Sequence, residues 1–312
     1  MSTSTATGSR RRRHGAVSPW APYLFVAPFV VLFLLFLVAP IVVAFVNSLF
    51  SRQSSGLGFG GSSIEFVGLA NFVRAFADRD FLVGFPRVLL YGAVQVPVMM
   101  TIAAFFALLF DTALVKARRF FQFTVFLPYA VPSVIAALLW GFLYQPSVSP
   151  VLQFFESIGI TLSPLASTVV LWSIANVALW SLVGINMIIL FSALQSVPRE
   201  MYEAARIDGA GEVRTALQIK LPMIAPAVLL TTLSSIIGTL QLFNEPQVLQ
   251  TITSNIPSDY TPNMAIYATS TLGKDPHLAS AMAVILGLAT LVVSLLVLAA
   301  NKRTTNRAGH GL

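Results

Sequence analysis

Long apolar runs, parted by shorter polar stretches, organise this sequence. The first, residues 20–46, can cross about 30 Å of hydrocarbon with some tilt. It is too long for the apolar core of a cleaved leader, which runs about 7–15 residues. Five further runs of span length follow, at residues 84–110, 120–144, 167–194, 223–243 and 278–300. Each is predicted to be a helix, because a chain in lipid must satisfy its own backbone N–H and C=O groups. Pro22, Pro28 and Pro40 mark ends or kinks of the first run, and Pro128 and Pro132 lie inside the third. Prolines are tolerated there when neighbouring helices or water satisfy the freed carbonyls.

The connections divide the chain into a Ser/Thr-rich tail (1–19), a first membrane helix (20–50), an outer segment (51–83), a five-helix core (84–300) and a second tail (301–312). By composition the first tail reads as disordered, and its Arg10–Arg13 run as a cytoplasmic anchor. Residues 51–63 read as a Gly/Ser loop. From Phe66 an amphipathic stretch begins, with Leu69, Phe72, Val73 and Phe76 on one face, suited to the membrane surface. Residues 145–165, with one charge at Glu156 and several prolines, read as a loop, and residues 244–277 as a polar loop.

The loop at 195–222 is different. A loop that only connects needs about two to eight residues; this one carries REMYEAARIDGAGEVRTALQIKLP from Arg199 to Pro222. Pro198 suits a helix start. Glu200 and Glu203 lie in the first turn, where the helix dipole favours negative charge. Met201, Ala204 and Ala205 share a face, Gly209 and Gly211 end the helix, and Val213, Ala216 and Leu217 restart an apolar stripe. Two short helices around a glycine turn, with small alanines that permit close approach, point to docking of a partner.

Charge gives the orientation. Arg10–Arg13, Lys116, Arg118, Arg119, Arg199, Arg206, Arg214, Lys220, Lys302, Arg303 and Arg307 make fourteen of the nineteen Lys and Arg. All fall on one side if both termini are cytoplasmic, the positive-inside pattern. The docking loop is then cytoplasmic too. The chain is 56% hydrophobic and 10% charged, against about 25% charged in soluble domains. The net charge of +7 therefore sits at span ends beside membrane lipid, and nucleic acid is not an expected partner. There is no cysteine, and His14, His277 and His310 lack metal-ligand spacing. Neither a catalytic constellation nor a phosphate-cradling glycine loop is present, so the chain is expected to be no enzyme and to hold no metal or cofactor.

Polar side chains recur inside the later spans: Tyr144, Asn176, Trp180, Asn186, Gln241 and Asn244, with Trp140 among them and Glu245 at a span end. Asn and Gln can serve as interhelical hydrogen-bond partners, at about 0.6–2 kcal/mol each, and Trp and Tyr as packing or interface anchors. Alternatively they line a path for a neutral polar solute. An ion path would call for more Asp, Glu or Arg.

Glu203-Ala204-Ala205, Asp208-Gly209-Ala210, then Ile219, Leu221 and Pro222 resemble the cytoplasmic EAA loop of permease subunits in ABC importers. The nearest type is the carbohydrate importer of the maltose, lactose and glycerol-3-phosphate kind. Phe243-Asn244-Glu245-Pro246 resembles the motif closing the fifth core helix of sugar-type permeases. The resemblance implies an all-α, six-helix polytopic permease of the MetI-like fold that carries a mono- or oligosaccharide into the cytoplasm. It also implies the partners: a second, homologous permease, two ATP-binding cassette subunits holding Mg-ATP, and an extracytoplasmic solute-binding protein. Glu203, Ala204, Ala205, Asp208, Gly209, Leu217 and Pro222 become the expected ATPase-coupling residues. The EAA loop alone also fits permeases for amino acids, peptides or phosphate. A secondary transporter would be expected to show internal repeats and intramembrane ion ligands, and neither is found.

Overall fold

The computed structural model describes residues 20–54, 62–112 and 115–308; the expected tail at 1–19 lies outside them. The chain divides into two compact units, meeting between Val46 and Asn47. The first is one apolar helical rod: α1 (Ala21–Phe33), a π-helical segment (Leu34–Val38) and most of α2 (Ala39–Ser48). The wide segment has a local cause. Pro40 has no N–H to return to the preceding turn, and the Ala39 N–H reaches back to the Leu34 carbonyl instead.

The second unit opens with two antiparallel strands, β1 (Phe50–Ser54) and β2 (Ser62–Phe66), paired from Phe50 with Phe66 to Ser54 with Ser62. The Gly/Ser composition here suggested only a loop. What its reading passes over is the ring pair at the end away from the connecting segment, Phe50 against Phe66 at 5.5 Å. Helix α3 (Ala70–Ala77) follows. It turns Asn71 and Ala75 inward and leaves Leu69, Val73 and Phe76 exposed, as for a helix on a membrane surface. Asn71 Nδ2 donates to the carbonyls of Ser48 (2.9 Å) and Phe50 (2.7 Å). Arg74 meets Asp275 at 2.9 Å.

Helix α4 (Arg79–Asp111) starts at the Asp78 cap, whose carboxylate accepts the Phe81 N–H at 3.0 Å. It packs along α8 (Val170–Gln195). Val96, Met100, Ala103, Ala107 and Phe110 recur every three or four residues and bury against Met187, Leu190 and Leu194. The alanines let the backbones approach, the usual device where lipid supplies no hydrophobic drive between helices.

The third apolar run departs from expectation. In place of one span over 120–144 there are α5 (Arg118–Phe126) with a 3₁₀ turn (Leu127–Ala130), then α6 (Ser133–Leu143), bent by 97° at the break. Pro132 explains it: the residue before a proline is driven out of the helical region, and Val131 is extended at φ −80°, ψ 124°. With this bent pair the apolar spans number six among the described residues; of the other five, the one over Ala225–Leu249 is interrupted at Gln241–Phe243. The two expected loops at 145–165 and 244–277 also contain helices, α7 (Pro150–Ser157), α13 (Asn244–Leu249) and α14 (Pro262–Thr271). The last helix, α15 (Pro276–Ala308), runs past the expected end of its span.

Gly184 of α8 is where α5 comes closest. A Cβ there would meet the Val125 carbonyl oxygen and lie 2.7 Å from Phe126 Cα, both rigid backbone. Gly184→Ala should destabilise the fold by about 1–3 kcal/mol, the usual penalty of overpacking. Thermal unfolding of purified protein in detergent would check it; an unchanged midpoint would show that α5 is not held there.

Candidate functional site: an exposed two-helix loop and a polar cavity

The loop between α8 and the next long helix folds as two short helices, α9 (Arg199–Ile207) and α10 (Glu212–Thr215). The turn between them is built from backbone bonds. Ala210 N–H bonds to the Ala205 carbonyl (2.9 Å) and Gly209 N–H to that of Arg206 (3.1 Å), a Schellman closure. Gly209 sits at φ +74°, where glycine alone is at ease. Nothing approaches within 4 Å of a Cβ built on it. Arg206 and Glu212 face each other across the turn at 3.6 Å. Glu203, Ala204, Asp208, Gly209, Leu217 and Pro222 are all exposed, whereas Ala205, at 5% exposure, turns into the chain. Of the two paired alanines, only Ala204 is free to meet another surface. Ile207 (86% exposed) and Val213 (73%) add apolar area on this loop, and sequence reasoning had not singled out Ile207. Exposed apolar side chains of this size, clustered and rimmed by charge, mark an interaction surface.

After α10 the chain makes a second π-helical segment (Ala216–Lys220), α11 (Leu221–Met223) and then α12 (Ala225–Leu240). Lys220 lies over the Tyr202 ring at 5.0 Å and bonds to Asp111 at 2.6 Å. Burial, and then the Asp111 charge, raise the Tyr202 phenol above its ordinary value, so it stays neutral.

A cavity of about 550 Å³ opens between α4, α8 and α12. Tyr91, Gln95 and Met99 line it from α4, Leu182, Asn186 and Ile189 from α8, and Thr231, Ser234, Ser235 and Thr239 from α12. Gln241, Asn244 and Glu245 close one end. The Thr231, Ser234, Ser235 and Thr239 hydroxyls each donate to the carbonyl one turn back, which leaves their oxygen lone pairs as acceptors on the wall. Gln95 Oε1 is buried without a hydrogen-bond partner, and Glu245 is the one charged residue on the wall.

Three of the six polar residues expected on a path, Asn186, Gln241 and Asn244, lie on this wall. The others are joined elsewhere. The Tyr144 hydroxyl donates to the Ser173 carbonyl at 2.9 Å and accepts from Asn176 Nδ2 at 2.9 Å. Trp180 stands edge-on to Trp140, 6.1 Å between centroids. Tyr144 belongs to a buried cluster with Ala136, Ile174 and Leu249, and both tryptophans pack against it. In the structure Tyr144 and Asn176 make interhelical hydrogen bonds, and Trp180 makes a ring contact, away from this wall. Gln95, Ser234 and Ser235 were missed; Ser234 and Ser235 sit in a run of small polar residues that reads as mere helix filler.

Apolar helices long enough to cross a bilayer, a polar cavity between them and an exposed two-helix loop at one end define a polytopic transport protein. Residues 99–308 match the family described as binding-protein-dependent transport system inner membrane component. The chain belongs to that family. It is 32% identical over 280 residues to the sn-glycerol-3-phosphate transport system permease protein UgpA of Salmonella typhi, covering 89% of this chain and 92% of that one. To the protein of the same name from Yersinia enterocolitica it is 30% identical over 289 residues, with 92% and 95% covered. Its fold is that of a bacterial ABC transporter involved in the import of the acidic polysaccharide alginate: TM-score 0.76 at 22% identity, with 91% and 96% of the chains covered. A second structure, the alginate transporter in complex with alginate pentasaccharide-bound periplasmic protein, superimposes at TM-score 0.74 and 21% identity.

The two polar groups respond differently to truncation. Tyr144→Phe removes two hydrogen bonds inside a buried cluster and should lower stability by about 1–2 kcal/mol. Gln241→Ala, at an exposed position on the cavity wall, should leave stability within about 0.5 kcal/mol. Unfolding midpoints of the two variants in detergent would check this; equal losses would put Gln241 among the packing residues.

Proposed function

We propose that this chain is one permease subunit of an ABC importer that carries a neutral mono- or oligosaccharide into the cytoplasm. The observation that carries the reading is the cavity wall. Its amides, hydroxyls and the Tyr91 ring match what a sugar offers, hydroxyls for hydrogen bonds and C–H faces for flat apolar rings. The wall has a single carboxylate and no cation, which suits an uncharged solute.

The rest of the assembly follows from the exposed loop and the charges. With both termini cytoplasmic, Glu203, Ala204, Asp208, Gly209 and Leu217 face an ATP-binding cassette subunit, where Mg-ATP is bound and hydrolysed; this chain contributes no catalysis and no cofactor. Glu203 meets a basic or N–H-rich edge, and Ile207, Val213 and Leu217 supply apolar contact. A second permease completes the pore, a second ATPase serves it, and a solute-binding protein delivers the sugar from outside. ATP binding and hydrolysis switch the pore between its two faces through differential affinity for the two states.

The relatives named for sn-glycerol-3-phosphate favour a second reading, import of a phosphorylated polyol. Glu245 argues against it, since a phosphate entering this wall would meet an uncompensated carboxylate.

Glu203→Lys reverses an exposed charge, and Gly209→Asp strains a backbone at positive φ by roughly 1–2 kcal/mol without touching the chain's interior. Both permeases should reach the membrane in normal amount, retain little ATPase on purification and lose uptake. Normal uptake in both would reduce the loop to a connector. For the cavity, Glu245→Gln should lower sugar uptake by about tenfold, the loss of one charge-assisted hydrogen bond, with assembly unchanged. Glu245→Lys should admit a phosphorylated sugar supplied with its own binding protein. Uptake assays in vesicles across the variants decide it; unaltered sugar uptake in Glu245→Gln would remove Glu245 from the path.

A further inference from the structure

Asp111 ends α4 and Lys220 ends the second π-helical segment, yet their side chains meet at 2.6 Å with each only 8% exposed. A carboxylate at a helix C-terminus faces the negative end of the dipole, and a buried charge is unfavourable unless paired and fully bonded. Both conditions are met by one arrangement. Asp111 Oδ2 accepts from Lys220 Nζ, and Oδ1 accepts from Gln195 Nε2 at 2.7 Å. Gln195 is the last residue of α8. Lys220 in turn covers the Tyr202 ring of α9, and the Tyr202 hydroxyl reaches the Leu194 carbonyl at 3.5 Å. A single carboxylate therefore gathers the ends of α4 and α8, the first loop helix and the arm that returns to α12.

We propose that the Asp111–Lys220 pair is the positioning link that makes the exposed loop move as one body with α4 and α8. This rests on the reading of that loop as the ATPase-docking element. An apolar pair of similar size would bury as well and is often as stable. What it would lack is direction: two charge-assisted bonds from one carboxylate set the return arm at one distance and angle from two helices. Those two helices carry the cavity residues Tyr91, Gln95 and Asn186. Displacement of the loop then reaches the cavity as displacement of its walls, with no slack in a flexible connection. Asp111 and Lys220 touch neither solute nor nucleotide in this scheme; they act through the helices they hold.

The chain has no native cysteine, so spin labels placed at Arg214 on the loop and Phe105 on α4, both exposed, report one intramolecular distance. In the assembled importer that distance should be narrow and the same without nucleotide and with vanadate-trapped Mg-ADP. Asp111→Asn and Lys220→Met should broaden it and make it change with nucleotide. The exchanged pair, Asp111→Lys with Lys220→Asp, should restore the narrow distance, because the Gln195 amide can turn to offer its oxygen to a lysine at 111. A parent distance that changes with nucleotide overturns the proposal, as does a narrow distance in both single variants. Where a single variant fails to accumulate, the exchanged pair decides: failure to restore either accumulation or the narrow distance overturns the link. Docking is scored separately, by the ATPase retained on Glu203→Lys. A full complement there removes the docking reading, while the distance within the chain stands or falls by its own result.

Discussion

In hydrocarbon no water completes a broken hydrogen bond, and that constraint shapes this fold more than any single contact. Helices close their own backbone bonds, so six apolar runs become helices. Departures from helix occur where the protein itself covers the freed groups or where the chain leaves the apolar zone. Pro132 breaks the third run beside α8, whose Gly184 admits the α5 backbone to close contact. The break between α12 and α13, at Gln241–Phe243, opens onto the polar cavity. Its backbone is bonded locally, Leu242 N–H to the Thr239 carbonyl at 3.1 Å, and the Gln241 carbonyl accepts Asn263 Nδ2 at 3.1 Å. Irregular backbone at membrane depth is thus spent where it lines a cavity or buys a close approach.

Much of this could be read from the residues. Span length and composition are properties of contiguous sequence, so the apolar runs were visible without a fold. The exposed loop was equally legible, since Pro198, the early glutamates and Gly209 act within a turn or two of themselves. The 97° bend was not, because Pro132 announces a possible break but not its angle, which the packing partner decides. The polar residues divide for a similar reason. Asn176 and Asn186 sit ten positions apart on one helix and read alike; one meets the Tyr144 hydroxyl and the other the cavity. Only the neighbours across the interface distinguish them. The strand pair and α14 were lost to composition, which scores Ser, Gly and Asn as loop whatever they bond.

Least legible was the link between Asp111 and Lys220, 109 residues apart in sequence. Lys220 reads as an unremarkable cytoplasmic cation, and Asp111 as a span-end charge. Each satisfies the positive-inside and interface rules alone, so no local anomaly signals the pair. Their burial does. Long side chains at span ends normally reach toward water; these turn inward against one another, and that inversion separates a structural charge from a topological one.

The position of Lys220 along the backbone sharpens the point. Pro222 cannot donate to the preceding turn, which leaves the exit from the loop as a π-helical segment, with the Leu221 N–H reaching back to the Ala216 carbonyl. The first unit shows the same geometry ahead of Pro40, where Ala39 N–H returns to Leu34. There the neighbouring side chains are apolar, and the wide turn carries no ion pair among the described residues. On the loop's return arm the same weakening of the helix coincides with a buried charged tether. A proline alone would let α10 pivot against α12, and a tether alone would add rigidity where an ordinary helix already provides it. Together they allow the return arm to take its angle from α4 and α8 instead of from the helix it leads into. For the docking role proposed above, that arrangement would pass a push to the cavity walls, whereas a continuous helix would deliver the same push mainly along α12.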